Sequence, residues 1–240
     1  MQTTGGTLLG GRIAYAQPEK GFRSGIEPVL LAAAIPARAG ERVIEAGTGA
    51  GAALLCLAAR VPGIAGLGVE RDPALAALAR ANITSNAMDG LTVLESDIAA
   101  LGECGVFDHG FANPPYHAES GTPSPLDSRE RSKRAPAGLL PLWARALAHR
   151  LRPRGTLTLI VPAAVLTDAL AALADAACGS AAILPLWPKA GRAAKLLLIH
   201  GVKGGRGPSR VLPGLVLHGS TGSYTDAAEA ILRDGADLKI

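Results

Sequence analysis

Arg42-Val43-Ile44-Glu45-Ala46-Gly47-Thr48-Gly49-Ala50-Gly51 decides the fold, because a short apolar strand runs straight into alternating glycines and the helical stretch 52–60 follows at once. A glycine-rich turn between a parallel strand and a helix lets a ligand approach the backbone at the positive end of the helix dipole. The next strand, 65–69, ends on Glu70. An acid about twenty residues beyond such a turn is placed to accept hydrogen bonds from a ribose diol. Two readings stay open on this element alone. Gly47, Gly49 and Ala52 also satisfy the dinucleotide pattern G-x-G-x-x-[GA], which fits a nicotinamide-dependent oxidoreductase.

Downstream residues separate the two. A helix over 73–86 leads to a strand over 91–95 and then to Ser96-Asp97-Ile98, which sets Asp97 at the carboxyl end of a third strand. A fourth strand ends in Phe111-Ala112-Asn113-Pro114-Pro115-Tyr116. Two consecutive prolines stiffen the chain after Asn113, remove two backbone donors and leave carbonyls free to accept. Asn113 adds a side-chain carbonyl, and Tyr116 adds a flat ring on which a planar substrate can lie. Polar residues at the carboxyl ends of four successive parallel strands would line one crevice, and the corner at Asn113 suits an NH2 group.

The remaining elements build outward from this core. Upstream, a hairpin is expected over 7–17 around Gly10-Gly11, then a loop carrying Gln17, Lys20, Phe22 and Arg23, then a helix over 27–34. Beyond Asn113 come a loop over 117–135 rich in Gly, Ser, Pro and charge, a helix over 138–151, a strand over 157–161 and a helix over 164–177. Strands at 182–186 and 194–200 are separated by a short turn, which implies an antiparallel pair at the sheet edge. After residue 202 the chain turns basic and Gly-rich, and it closes with 215–218 and a helix over 226–233. One domain over 1–240 is expected: an extension at 1–36, a core at 37–202 and a basic extension at 203–240.

Composition narrows the class. Hydrophobic residues make up 48% of the 240 and aromatics only 3%, so the core should be aliphatic. A net charge of +4 and a pI near 9.2 are compatible with an RNA partner. Cys56, Cys104 and Cys178 are widely separated, without metal-ligand spacing, and read as buried reduced thiols in a cytoplasmic protein. Residues 1–11 lack the pattern of a signal peptide, and apolar runs break before about 18 residues, so no membrane span is expected.

Taken together, the glycine turn, Glu70, Asp97 and Asn113-Pro114-Pro115-Tyr116 resemble class I S-adenosylmethionine-dependent methyltransferases that modify planar amino groups. Gln17-Pro18-Glu19-Lys20-Gly21-Phe22-Arg23, the run Glu27-Pro28-Val29-Leu30-Leu31 and the tail from Lys203 through Gly222-Ser223-Tyr224-Thr225 are similar to the bacterial tRNA(Val) adenine N6-methyltransferase family. Glu27-Pro28 stands where that family is expected to carry Asp-Ala. The resemblance implies an α/β Rossmann-like fold with a seven-stranded, mostly parallel sheet, an antiparallel final strand and helices on both faces.

It also implies S-adenosyl-L-methionine as cofactor, with S-adenosyl-L-homocysteine as product, and contacts from Arg23, Glu45, Gly47, Thr48, Gly49, Gly51, Glu70, Arg71, Asp97, Ile98 and Asn113. The reacting corner would be Asn113, Pro114, Pro115 and Tyr116, acting without a metal on an exocyclic amine, most simply adenine N6 in the anticodon loop of tRNA(Val). Glutamine N5 in a protein and guanine N2 in rRNA remain alternatives. Arg129, Arg131, Lys133 and Arg134 in the loop, with Lys189, Arg192, Lys195, Lys203, Arg206 and Arg210, are the candidates for RNA phosphates.

Overall fold

The computed structural model of the chain describes residues 1–20, 24–115 and 138–240. Its centre is β3 (Arg42–Ala46), in which Val43 and Ile44 are both fully buried although neighbouring strand residues point to opposite faces. A strand apolar on both sides needs cover on both sides, the condition of a parallel sheet sandwiched between helices. β3 pairs in parallel with β4 (Ala65–Glu70) and with β6 (Phe107–Ala112). β5 (Leu91–Glu95) lies parallel beyond β4, and β7 (Leu151–Pro162) lies parallel beyond β6. β8 (Cys178–Lys189) and β9 (Leu196–Lys203) form the antiparallel pair, and β9 is also antiparallel to β7.

This is the Rossmann-like α/β arrangement expected, with one correction at one side. The antiparallel final strand of the core is β9, paired with β8, and among the described residues the sheet has nine strands rather than seven because two short strands lie beyond that pair. β10 (Arg210–Val211) and β11 (Leu215–His218) both pair in parallel with β8. The physical reason is that the twelve residues of β8 would otherwise expose a long unpaired ladder. The segment beyond 203, read from the sequence as an extension, supplies the missing partners.

Two apolar clusters flank the sheet. On one face α1 (Glu27–Ala34), α2 (Ala52–Arg60) and α6 (Asp226–Asp234) contribute Leu30, Leu54 and Ile231; on the other, α4 (Leu139–Arg150) and α5 (Leu166–Asp175) contribute Leu147 and Leu173. The core is aliphatic as composition implied, with Phe111 the largest fully buried side chain. Seven of the eight residues of α1 are buried, so this helix has no polar face to advertise it. Cys56 and Cys178 are buried, whereas Cys104 is partly exposed. Among the described residues no helix is long and apolar enough to cross a membrane.

The N-terminal hairpin, β1 (Thr3–Leu8) and β2 (Ile13–Pro18), is a separate two-stranded sheet that starts earlier than expected because Gly5-Gly6 disguises its first strand. It is fastened to α3 (Pro73–Ser85) and its cap by side chains that imitate a neighbouring strand. Asn82 Nδ2 donates to the Ala16 carbonyl (2.8 Å) and its Oδ1 accepts from the Ala16 amide (3.0 Å). Asn86 does the same for Ala14, at 2.7 and 2.9 Å. Asn82 Nδ2 also donates to the Ala50 carbonyl at 2.9 Å, so the hairpin and the glycine turn share one buried amide.

Candidate active site

Sheet register assembles the site. Ala46 lies opposite Val69 in β4 and opposite Ala112 in β6, so the next residue on each strand, Gly47, Glu70 and Asn113, ends on the same rim. Glu95 lies opposite Glu70, which brings β5 and the following Asp97 to that rim as well. Above it is a narrow cleft at the carboxyl ends of the strands. Glu45, Gly47, Thr48, Gly49 and Asn113 line its floor; Tyr15, Pro18, Ser24 and Pro28 come from the hairpin side and the start of α1.

The three glycines of the turn serve different ends. All have positive φ: 63° at Gly47, 56° at Gly49 and 90° at Gly51. The Gly47 and Thr48 amides donate to the Val69 carbonyl at 2.8 and 3.1 Å, which holds the turn against β4. A Cβ on Gly47 would come within 2.4 Å of the Trp143 indole, whereas one on Gly49 would meet nothing within 4 Å. Gly47 is therefore required by packing, and Gly49 leaves open space for a ligand.

Glu70 is buried and bridges two segments: its Oε2 accepts from the Gly49 amide at 2.8 Å and its Oε1 from the Asp72 amide at 3.0 Å. A carboxylate has about four lone-pair sites, so each oxygen keeps capacity for a further donor such as a diol. Glu45 lies deeper, where the Thr48 hydroxyl donates to its Oε2 at 2.6 Å. Burial pushes the Glu45 carboxyl up to about 8, with the negative charge of Glu70 adding to the rise and the bonds from Thr48 and the Leu54 amide opposing it. Room for Thr48 comes from Gly68, whose Cβ would sit 2.8 Å from Thr48 Cγ2.

Asn113 is half-buried on the cleft, Pro114 is buried and Pro115 exposed. Asp97 is exposed at the end of β5 and accepts from the Ala99 amide at 2.8 Å, with Ile98 buried beside it. Arg71 is exposed directly after Glu70. Arg23, Tyr116, Arg129, Arg131, Lys133 and Arg134, with the rest of the 117–135 loop, lie outside the described residues. The other basic candidates divide between the two ends of the sheet. Leu196 opposes both Pro162 and Leu186, so the β8–β9 turn with Lys189, Arg192 and Lys195 is on the rim of Asn113. Lys203 opposes Cys178 at the far end and donates to the Leu151 carbonyl at 2.6 Å; exposed Arg206 follows it there.

Sequence reasoning missed the walls of the cleft. Tyr15 and Ser24, joined by a 2.8 Å hydrogen bond, arrive from distant segments, as does Trp143, which packs against Gly47. Asn82 and Asn86 carried a readable signal, since two asparagines one turn apart are weak helix formers that need a reason to be there. The arrangement sets an open glycine backbone at Gly49, a shielded carboxyl at Glu45 and the acceptor-rich corner at Asn113 around one space, with the carboxylate of Glu70 on the same rim. That set suits group transfer from a nucleoside-type cofactor to an amino group.

Comparisons with known proteins bear on the family and the fold. A family model described as the methyltransferase small domain matches residues 26–129. A tRNA1(Val) (adenine(37)-N6)-methyltransferase of Aeromonas hydrophila is 31% identical over 213 residues, 85% of this chain and 86% of the relative. A protein of the same name from Bacteroides thetaiotaomicron is 27% identical over 143 residues, 59% of this chain and 60% of the relative. Among solved structures, a predicted O-methyltransferase of Agrobacterium tumefaciens aligns with a TM-score of 0.74 at 23% identity, covering 89% of this chain and 98% of its own. The 16S rRNA N2 G1207 methyltransferase of Thermus thermophilus, in complex with AdoMet and guanosine, gives 0.57 at 21%, covering 84% and 50%. At these identities the solved structures speak to the fold.

Proposed function

Because the chain belongs to the S-adenosylmethionine-dependent methyltransferase family of the tRNA1(Val) adenine N6-methyltransferases, we propose that it methylates N6 of an adenine in tRNA, the anticodon-loop adenine of tRNA(Val). The observation that carries this reading is the shared cleft: Gly47, Gly49 and Asn113 line one space, with Glu70 on the same rim. The whole chain acts as one domain, with 37–202 as its core, 1–36 packed upon it and 203–240 adding strands to its sheet, and its place of work is the cytoplasm.

S-adenosylmethionine, when bound, supplies a methyl group activated by a sulfonium. Glu70 accepts the ribose hydroxyls, Asp97 takes the adenine amino group, and Gly49 admits the cofactor to the backbone. Arg23, Arg71, Gly51, Ile98 and Thr48 complete the contacts. An exocyclic amine is a poor nucleophile because its lone pair is delocalised into the ring. Asn113 Oδ1 and the Pro114 carbonyl accept its two hydrogens, drawing the nitrogen towards tetrahedral geometry with its lone pair directed into the cleft. Pro115 stiffens the corner and Tyr116 stacks on the base, which must leave its own stack to enter. Positioning of this kind draws on the roughly 7–11 kcal/mol available to well-oriented reactants. Transfer of labelled methyl into unmodified tRNA followed by nucleoside analysis tests the reading. N6-methyladenosine is the expected product; N2-methylguanosine, or label in protein glutamine, would replace it.

The two glycines give a paired prediction. Gly49→Ala adds a methyl group in open space, so it should fold with a backbone penalty of about 1–2 kcal/mol and yet lose most cofactor affinity. Gly47→Ala carries the same φ penalty plus the collision with Trp143, and should lower Tm by clearly more. Thermal unfolding with and without S-adenosylhomocysteine reads both effects.

Glu45 gives a pH prediction. Its carboxyl, raised to about 8 by burial, is protonated at neutral pH in the unliganded protein. A cationic cofactor favours the ionised form, so binding should release a proton. The Kd for S-adenosylmethionine should therefore fall as pH rises from 6 towards 8, by up to about tenfold per unit, and level off above. Glu45→Gln should flatten that slope, as titration calorimetry in buffers of different ionisation enthalpy will register.

A further inference from the structure

Residues 176–225 contain six of the 24 Lys and Arg and none of the 20 Asp and Glu. The chain's positive balance is thus concentrated in one stretch, since the remainder holds 18 cations against 20 acids. The fold divides this stretch between the two ends of β8 and β9. Lys189, Arg192 and Lys195 are all exposed and fall on the rim that carries Asn113. Beside them, His218 of β11 is in register with Lys189. The His218 imidazole lies on the Tyr224 ring, centroids 4.6 Å apart and planes 21° from parallel, and both rings are half-buried. From Asn113 on β6 the rim passes β7 and β9 to β8, three strand spacings or about 15 Å.

A stretch of chain with cations and no acids, three of its cations and a stacked aromatic pair on the rim that carries Asn113, has the make-up of a single-stranded nucleic-acid track. Cations follow the phosphates, and flat rings accept bases whatever their identity. We propose that the β8–β9 turn and the His218–Tyr224 pair form the bed for the single-stranded RNA nucleotides next to the target adenine, with Lys189, Arg192 and Lys195 holding their phosphates. This rests on the tRNA reading above and gives the substrate a direction: it leaves the cleft over β7 and β9 towards β11, away from the hairpin.

Equilibrium binding of unmodified tRNA, measured across a salt series, tests it. The triple variant Lys189→Ala/Arg192→Ala/Lys195→Ala alters exposed side chains only and should bind S-adenosylmethionine within about twofold of wild type. Its tRNA affinity should fall about tenfold or more, and the slope of log K against log salt should flatten by about 2, three contacts at ~0.7 each. His218→Ala should cost about fivefold or more through lost stacking. Arg38→Ala/Arg154→Ala, which removes exposed charge from the opposite end of the sheet, should change affinity less than about twofold. Wild-type affinity and salt slope in the triple variant would overturn the bed while leaving the tRNA reading intact, as would equal losses in the triple and the Arg38/Arg154 variants. A wild-type protein that neither binds nor methylates tRNA would overturn both.

Discussion

Asn113→Ala is expected to lower kcat about 10³-fold while leaving the Kd for S-adenosylmethionine within about threefold of wild type. Asn113 follows directly on β6, whose pairing with β3 fixes where its backbone leaves the sheet. Its amide therefore reaches the cleft from a rigid base, and the buried Pro114 beside it limits any drift. Removing the amide deletes the acceptor that shapes the amine, whereas the glycine turn and Glu70 stay in place. Loss should appear in kcat rather than in cofactor affinity, because the interaction strengthens only as the nitrogen becomes tetrahedral. Steady-state kinetics with saturating tRNA, together with calorimetric cofactor binding, separates the two quantities. Near-normal turnover would remove Asn113 from the mechanism.

Glu70→Ala should raise the Kd for S-adenosylmethionine by about 10²-fold or more. Hydrogen bonds to a charged group contribute about 1.5–3 kcal/mol each, and a diol offers two. The substitution also strips the Gly49 and Asp72 amides of their acceptor, which loosens the turn and should cost about 1–3 kcal/mol of folding stability. Glu70→Gln keeps one acceptor oxygen and should fall between wild type and alanine in both measurements. Calorimetric titration and chemical denaturation report the two losses independently. Unchanged cofactor affinity in Glu70→Ala would place the ribose elsewhere.

What was legible in the sequence is what chemistry imposes locally. The turn from Gly47 to Gly51 announces itself because left-handed backbone at three alternate positions is tolerated by little other than glycine. The Asn113 corner is legible because consecutive prolines have few places to go. Long-range pairing left weaker traces. Insertion of β9 between β7 and β8, and the recruitment of residues 210–218 to the outer edge, depend on which unpaired edge remains once the core has formed. The hairpin's seat on Asn82 and Asn86 spans 66 and 72 residues and replaces a strand with two side chains, a pattern without a fixed sequence period. Likewise Lys189 and Lys203 read as one basic run, yet opposite ends of an antiparallel pair separate them.

The Glu45 carboxyl shows the same limit in electrostatics. Its place near the end of the central strand was evident, but the burial that raises its pKa, against the opposing bond from Thr48, comes only with the folded surroundings.

A structure of the protein with S-adenosylhomocysteine and an adenosine-containing RNA fragment tests the central claim most directly. The target N6 should lie about 3 Å from both Asn113 Oδ1 and the Pro114 carbonyl, with the cofactor sulfur on the far side of that nitrogen, over the Gly47–Gly51 turn. An adenine bound away from Asn113, or a cofactor whose sulfur points out of the cleft shared by Gly49 and Asn113, would contradict it.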